Sequence, residues 1–163
     1  MKRTQEPFKK TATVYKSEKF ICVDPLSGAN ILKYLEDDES CRFYLEPDAT
    51  DETLGQALLA ALQRSRYVDE REFFDPERAM RAEANWQKEV MRRYGYKTKR
   101  DVYKNLDWCL AKISEGKISF QPHRHDKLDS WRSLPPDQTV VIPATNDAVA
   151  VGAALRLALD RCE

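Results

Sequence analysis

A chain of 163 residues is long enough for one domain to bury a core of its own, and its 42% hydrophobic content suits a folded protein. Its 27 basic and 27 acidic side chains cancel, so it lacks the basic surplus of a domain devoted to nucleic acid or to an anionic membrane. No apolar run approaches bilayer length, and Cys22, Cys41, Cys109 and Cys162 have no C-x-x-C spacing, so the expectation is a cytoplasmic protein with reduced thiols and no membrane partner.

In chain order, Thr11 to Lys16 and Lys19 to Asp24 are β-branched or aromatic runs that predict a hairpin, closed at Pro25. The segment 31–35, Ile-Leu-Lys-Tyr-Leu, leads into the acidic run Glu36, Asp37, Asp38 and Glu39, and Arg42 to Leu45 predicts another strand. Candidate N-caps between Asp48 and Asp51 precede a helix predicted over 53–64, with Leu54, Ala57, Leu58, Ala61 and Leu62 on one face. Asp75-Pro76 and Tyr94-Gly95 read as the start and stop of a longer helix, whose partial apolar stripe is Met80, Ala84, Trp86, Val90, Met91 and Tyr94. It is expected on the surface with one side wet, followed by a basic turn over 95–100. Trp108 to Ser114 and Lys117 to Gln121 flank Glu115-Gly116, a tight turn, and Thr139 to Ile142 predicts the last strand. Thr145, Asn146 and Asp147 then cap a helix predicted over 150–161.

These elements fall into two sets related by a constant shift of 97 residues. Residues 12–66 laid on 109–163 without a gap give 10 identities in 55 pairs: Ser17, Glu18, Ile21, Pro25, Gly55, Ala57, Leu58, Ala61, Leu62 and Arg64 all recur. The expected fold is α+β, an internally duplicated unit of mainly antiparallel strands followed by a helix, within a single domain over 1–163. An inserted surface helix lies between the copies, in a stretch of about 67–108. Gly55, Ala57 and Ala61, like Gly152, Ala154 and Ala158, are small enough to let each helix sit close to a sheet or to its twin; they read as packing, since no glycine-rich phosphate loop surrounds them.

Catalytic patterns are sparse. His123 and His125, the two histidines, would share one face of an extended strand, but a metal site needs a third ligand and none stands at motif spacing; an exposed polar loop is the plainer reading. Their counterparts in the first copy, Leu26 and Gly28, exclude a duplicated active site. Nucleophile elbow, Walker loop, dinucleotide fingerprint and HExxH are all missing, so no enzyme, cofactor, metal or small-molecule ligand is expected.

Charge is unevenly placed, which points to binding. Residues 36–52 carry eight acids against Arg42, and residues 77–100 carry eight bases against three acids. The basic band with Tyr94 and Tyr96 makes a single-stranded nucleic-acid binder the alternative function. The stronger reading is protein recognition: Glu36, Asp37, Asp38 and Glu39 would steer a basic partner, with Tyr34 and Trp131, equivalent positions in the two copies, as aromatic anchors.

Four stretches carry a family resemblance: Thr53 to Leu62, Tyr94 to Lys99, Ile118 to Pro122 leading to His125 and Leu128, and Gly152 to Leu159. In order and spacing they are similar to the immunity proteins of bacterial contact-dependent growth inhibition systems, from about Phe8 to Cys162. The resemblance implies a small cytoplasmic inhibitor that binds and neutralises the C-terminal toxin domain delivered by a neighbouring cell, commonly a nuclease; the acidic loop of the first copy points to a steric and electrostatic block of its active site, with inhibition at a distance as the competing mode. It carries over no catalytic motif.

Overall fold

The computed structural model describes residues 7–30, 33–35, 39–69 and 75–163. At its centre are two hairpins. Strand β1 (Thr11–Lys16) pairs antiparallel with β2 (Ile21–Gly28), and β5 (Asp107–Ser114) with β6 (Lys117–Lys127). The second turn is two residues long and both have positive φ, 53° at Glu115 and 72° at Gly116, the twist that a two-residue hairpin requires. The first turn is longer. Ser17 closes it by donating its N–H to the Phe20 carbonyl at 2.9 Å.

The hairpins join through β1 and β5, giving the strand order β3-β2-β1-β5-β6-β7. Here β3 is Lys33–Leu35 and β7 is Ser130–Ser133; β4 (Phe43–Leu45) pairs with β2 and β8 (Val140–Pro143) with β6. Along the central seam Thr11 faces Lys112 and Tyr15 faces Trp108, so each pair becomes the other when 97 is added to one number and subtracted from its partner. The β2–β4 and β6–β8 registers obey the same shift, Ile21 facing Leu45 and Ile118 facing Ile142, whereas β6–β7 stands one residue off β2–β3. Even the chain after each helix returns alike, with Gly28 N–H donating to the Arg66 carbonyl at 3.0 Å and His125 N–H to the Glu163 carbonyl at 2.8 Å.

Both hairpins run further than the sequence predicts. Strand β2 passes through Pro25 to Gly28, and β6 through Pro122 to Lys127, so neither proline closes a strand. The reason is where their missing N–H falls. On the outer side of β2, β4 covers residues 21–23 and β3 covers 26–28, so Pro25 sits in the gap between them. Pro122 sits in the same gap, between the β8 partners at 117–120 and the β7 partners from 123 onward.

Helices α1 (Asp51–Arg64) and α4 (Ala148–Asp160) lie on one face of the sheet. Thr50 caps α1 by accepting from Thr53 N–H, and Asp147 caps α4 by accepting from Val149 and Ala150. The cap of α1 is thus a threonine rather than one of its neighbouring acids. Leu54, Leu58, Leu62, Val151, Leu155 and Leu159 pack on Val14, Val23, Ala111, Ile118 and Phe120, all buried. The helices meet at Gly55 and Gly152: a Cβ at Gly55 would stand 1.7 Å from the Ala148 carbonyl oxygen, and one at Gly152 would stand 1.7 Å from that of Asp51. Close contact between the twin helices is therefore what the two glycines provide.

The region between the copies does more than rest on the surface. Helix α2 (Pro76–Tyr94), capped by Asp75 and ended by Gly95 at φ 71°, and the short α3 (Lys99–Tyr103) build a second core against the opposite sheet face. Its buried members are Phe20, Cys22, Trp86, Val90, Tyr96, Val102, Tyr103 and Leu106. The buried line of α2 is Ala82, Trp86 and Val90, whereas Met80 is 71% exposed and Ala84 is also exposed, so only part of the expected stripe faces inward. Helix α3 occupies part of what reads in sequence as a basic turn.

Candidate functional site

Of the residues expected to contact a partner, Glu36, Asp37 and Asp38 lie outside the described residues. The backbone of Tyr34 is in β3 opposite Ser27, and Glu39 opens a 3-10 turn that ends at Cys41; their side chains lie outside the described part. Trp131, 97 residues on from Tyr34, stands in β7 opposite His125, one residue beyond the Arg124 that the pairing of Tyr34 with Ser27 would give. Its indole N–H donates to the Leu106 carbonyl at 3.0 Å. Its ring packs on Trp108 at 5.7 Å, Tyr15 at 5.9 Å and His125 at 4.8 Å. Half-buried in this way, Trp131 offers a partner one edge rather than a whole face.

The histidines are not in an exposed loop. His123 is buried in β6 with its ring stacked on Trp108 at 4.0 Å, and burial pushes its pKa below the ordinary value of 6.5. A neutral imidazole fixed between an indole and the backbone is a packing group. Two of the thiols read alike: burial pushes Cys22 up to about 12 and Cys162 up to about 11, far from nucleophilic. Among the described residues no three His, Cys, Asp or Glu side chains come together in a way that could hold a metal.

The most buried charge pair is Arg42 with Asp24, at 2.5 Å, both side chains almost wholly inaccessible. Burial alone would lower the pKa of Arg42, but the Asp24 carboxylate beside it raises it, so Arg42 keeps its charge. Next to it, Arg93 of α2 lies over the Tyr44 ring at 4.1 Å and fastens the inserted helix to β4. The positions 97 residues further on hold Gln121, Thr139 and Val141, so the pair belongs to the half of the sheet that α2 covers.

The basic band is more neutral in space than in sequence. Glu89 pairs with Arg92 at 2.6 Å and with Arg93 at 2.8 Å, and these arginines hold its carboxyl down at about 2. Lys99 pairs with Asp129 at 2.9 Å. A groove of about 220 Å³ between the first hairpin turn and the α2–α3 loop is lined by Glu18, Lys19, Gly95, Tyr96, Lys97, Asp101 and Lys104, again of mixed sign. Tyr94 is stacked on Phe20 at 4.8 Å, and Tyr96 is buried with its hydroxyl on Ser17 at 3.0 Å. Neither ring is presented to a base, which removes the main support for the nucleic-acid alternative.

One surface escaped the sequence reading, which assigned only the inward side of the last helix. The outward side of α4 is apolar as well: Val149 is 53% exposed, Leu157 is 46% exposed, and Ala150 and Ala153 between them are exposed. The signal was available in the 97-residue shift, which places these four on Glu52, Ala60, Thr53 and Gln56 of α1, a mostly polar outer side.

The structure is thus an antiparallel sheet with a helix pair on one face and an inserted helical cover on the other. The model of the CDI immunity protein family matches residues 10–162, and the chain belongs to that family. It is 31% identical to the immunity protein CdiI-YPIII of Yersinia pseudotuberculosis serotype O:3 (strain YPIII), with 93% of this chain and 94% of that protein covered. Among solved structures it is similar to a chain of the CdiA-CT/CdiI toxin and immunity complex from Yersinia pseudotuberculosis (TM-score 0.88, 29% identity, 96% of this chain and 99% of that chain). It is also similar to the protein of unknown function NMB0488 from Neisseria meningitidis (TM-score 0.86, 29% identity, all of both chains).

Proposed function

We propose that this protein binds and neutralises the cognate C-terminal toxin domain, a nuclease, of a contact-dependent growth inhibition system, acting in the cytoplasm as an inhibitor without catalysis of its own. The observation that carries this reading is the end-to-end similarity, at 29% identity, to a chain solved as part of a toxin and immunity complex. The block is steric and electrostatic. A nuclease must present a positive groove to its substrate, and the acids of the first copy, Glu36 to Glu39 with Tyr34 beside them, are its complement, while Trp131 supplies an aromatic edge from the second copy. The chain acts as one domain made of two copies of one unit, which is the simplest account of registers that repeat under a single shift.

The direct test uses the cognate toxin domain. Purified protein should bind that domain at nanomolar concentration by calorimetry, suppress its cleavage of RNA or DNA at a 1:1 ratio, and rescue growth of cells expressing it. Failure to bind would end the proposal. Binding without loss of nuclease activity would end the active-site block while leaving the partner in place.

A further inference from the structure

We propose that Cys109 and Cys162 are a latent redox pair, which hydrogen peroxide converts to an intramolecular disulfide that fastens the C-terminal turn to the central strand β5. Cys162 follows α4, and its thiol donates to the Trp108 carbonyl at 3.3 Å, with the Ala158 carbonyl at 3.6 Å. The Trp108 carbonyl belongs to the peptide bond that leads into Cys109, and across a trans peptide a carbonyl oxygen is about 2.8 Å from the next Cα. Cys162 Sγ therefore stands no more than about 6 Å from the Cys109 Cα. Cys109 points into the core that Ala158 and Leu159 help to build, the side of the sheet from which Cys162 arrives. A disulfide spans about 4.4–6.8 Å between Cα atoms, so rotation of the Cys162 side chain and a small shift of the terminal turn bring the sulfurs together. The other two cysteines lie elsewhere: Cys22 is in the core on the opposite sheet face, and Cys41 stands against Arg64 at 3.0 Å.

The first half of the chain holds the same two places without this chemistry. Positions 97 residues earlier are Ala12 and Ser65. The Ser65 hydroxyl donates to the Leu26 carbonyl and accepts from Thr11 N–H at 2.9 Å, so hydrogen bonds alone tie the chain leaving α1 to the sheet. In the second half that anchor is a thiol, a weaker donor, and the core alanine has become a second thiol. Cys162 is half-buried and Cys109 fully buried, so peroxide meets Cys162 first. Its thiolate attacks one peroxide oxygen: the S–O bond forms, the O–O bond breaks and hydroxide leaves. The Cys109 thiolate then attacks the sulfenic sulfur: the S–S bond forms, the S–O bond breaks and a second hydroxide leaves. The hydroxides take up the two thiol protons, giving one disulfide and two waters, and peroxide gains the two electrons that the thiols lose. Burial raises both thiols above their ordinary range, Cys162 to about 11, so the reaction is slow near neutrality and quickens as pH rises toward that value.

The test treats the folded full chain with hydrogen peroxide at pH 7 and pH 9, blocks the remaining thiols with iodoacetamide, and follows the cysteine peptides by mass spectrometry. The expected product joins the Cys109 and Cys162 peptides within one chain, lighter by two hydrogen atoms, and forms at least tenfold faster at pH 9. Dithiothreitol should reverse it. Closing so long a loop should raise the melting temperature by roughly 5–15 °C over the reduced protein. Cys162→Ser, which installs the residue of the first half, should give no cross-link while melting within a few degrees of the reduced wild type. Sulfinic acid on Cys162 with Cys109 still free would overturn the pairing, and so would a disulfide to Cys22, to Cys41 or between molecules. Thiols that stay inert at pH 9 in the folded chain yet react once it is denatured would overturn it too. A cross-link that leaves the melting temperature unchanged would refute the fastening.

Discussion

Replacing Gly55 by alanine is the sharpest probe of how the two helices are joined. The added methyl would stand 1.7 Å from the Ala148 carbonyl oxygen, 2.6 Å from its carbon and 2.9 Å from its Cα. All three are backbone atoms of the opposing helix, so no rotamer change gives relief, and a normal carbon–oxygen contact of about 3.4 Å requires the helices to part by roughly 1.5 Å. A gap of even 0.5–1 Å forfeits about a quarter to a half of each contact's attraction. The contacts at stake include Leu54 and Leu58 on one side and Val151 and Leu155 on the other, all buried. Losing about half of that packing is comparable to truncating one core leucine, about 2–5 kcal/mol, from which the better helix propensity of alanine returns about 1 kcal/mol. The expected net loss of about 1–4 kcal/mol should lower the melting temperature by roughly 3–15 °C for a domain of this size. Gly152→Ala should act alike, since its methyl would meet the Asp51 carbonyl oxygen at 1.7 Å. Because both methyls open the same crossing, the double variant should lose clearly less than the sum of the singles. Unchanged melting, or strictly additive losses, would refute a shared close contact.

Asp24→Asn should strand the Arg42 guanidinium in a buried site and cost about 3–5 kcal/mol in urea denaturation, whereas Asp24→Gln/Arg42→Thr, which installs the residues of the second copy, should cost less than Asp24→Asn; a double variant at least as damaged would show that the site is not organised around the charge pair. His123 has a folded pKa below 6.5, so the unfolded chain binds the proton more readily, and this group's contribution to stability is present above pH 6.5 and lost as pH falls through the folded value. Melting temperatures at pH 7 and pH 5 should therefore differ less in His123→Asn than in wild type, and equal differences would contradict the assignment. Reversing Asp37 and Asp38 to lysine should slow association with the toxin domain, with an effect that shrinks as salt shortens the screening length below about 8 Å, while the melting temperature holds. The same reversal at Arg93 is a different experiment: it removes the contact over Tyr44 and the ion pair to Glu89, and should lower the melting temperature whatever it does to binding.

What could be read in the chain, and what could not, divides according to how local the deciding contacts are. The paired helices were legible because their evidence repeats within a dozen residues, in Gly55, Ala57, Leu58, Ala61 and Leu62 and again 97 positions on. The strand ends were not. Proline ordinarily ends a strand, and only the gap between β4 and β3, set by residues 18–20 positions beyond it in one case, makes Pro25 harmless. His123 looks polar in sequence and turns inward because Trp108, on the neighbouring strand, offers it a ring face. The inward line of α2 could not be separated from its neighbours by periodicity alone, since Phe20 and Cys22 decide which of its apolar residues find cover. The apolar outward side of α4 belongs to the same class of problem. An outer helical position becomes informative only when something fixes what it would have been without a partner, and here the first half of the chain does so for the second. Glu52 and Gln56 show what the solvent-facing side of this helix holds when water is its neighbour, and Val149 and Ala153 depart from that pattern while the inward residues keep it.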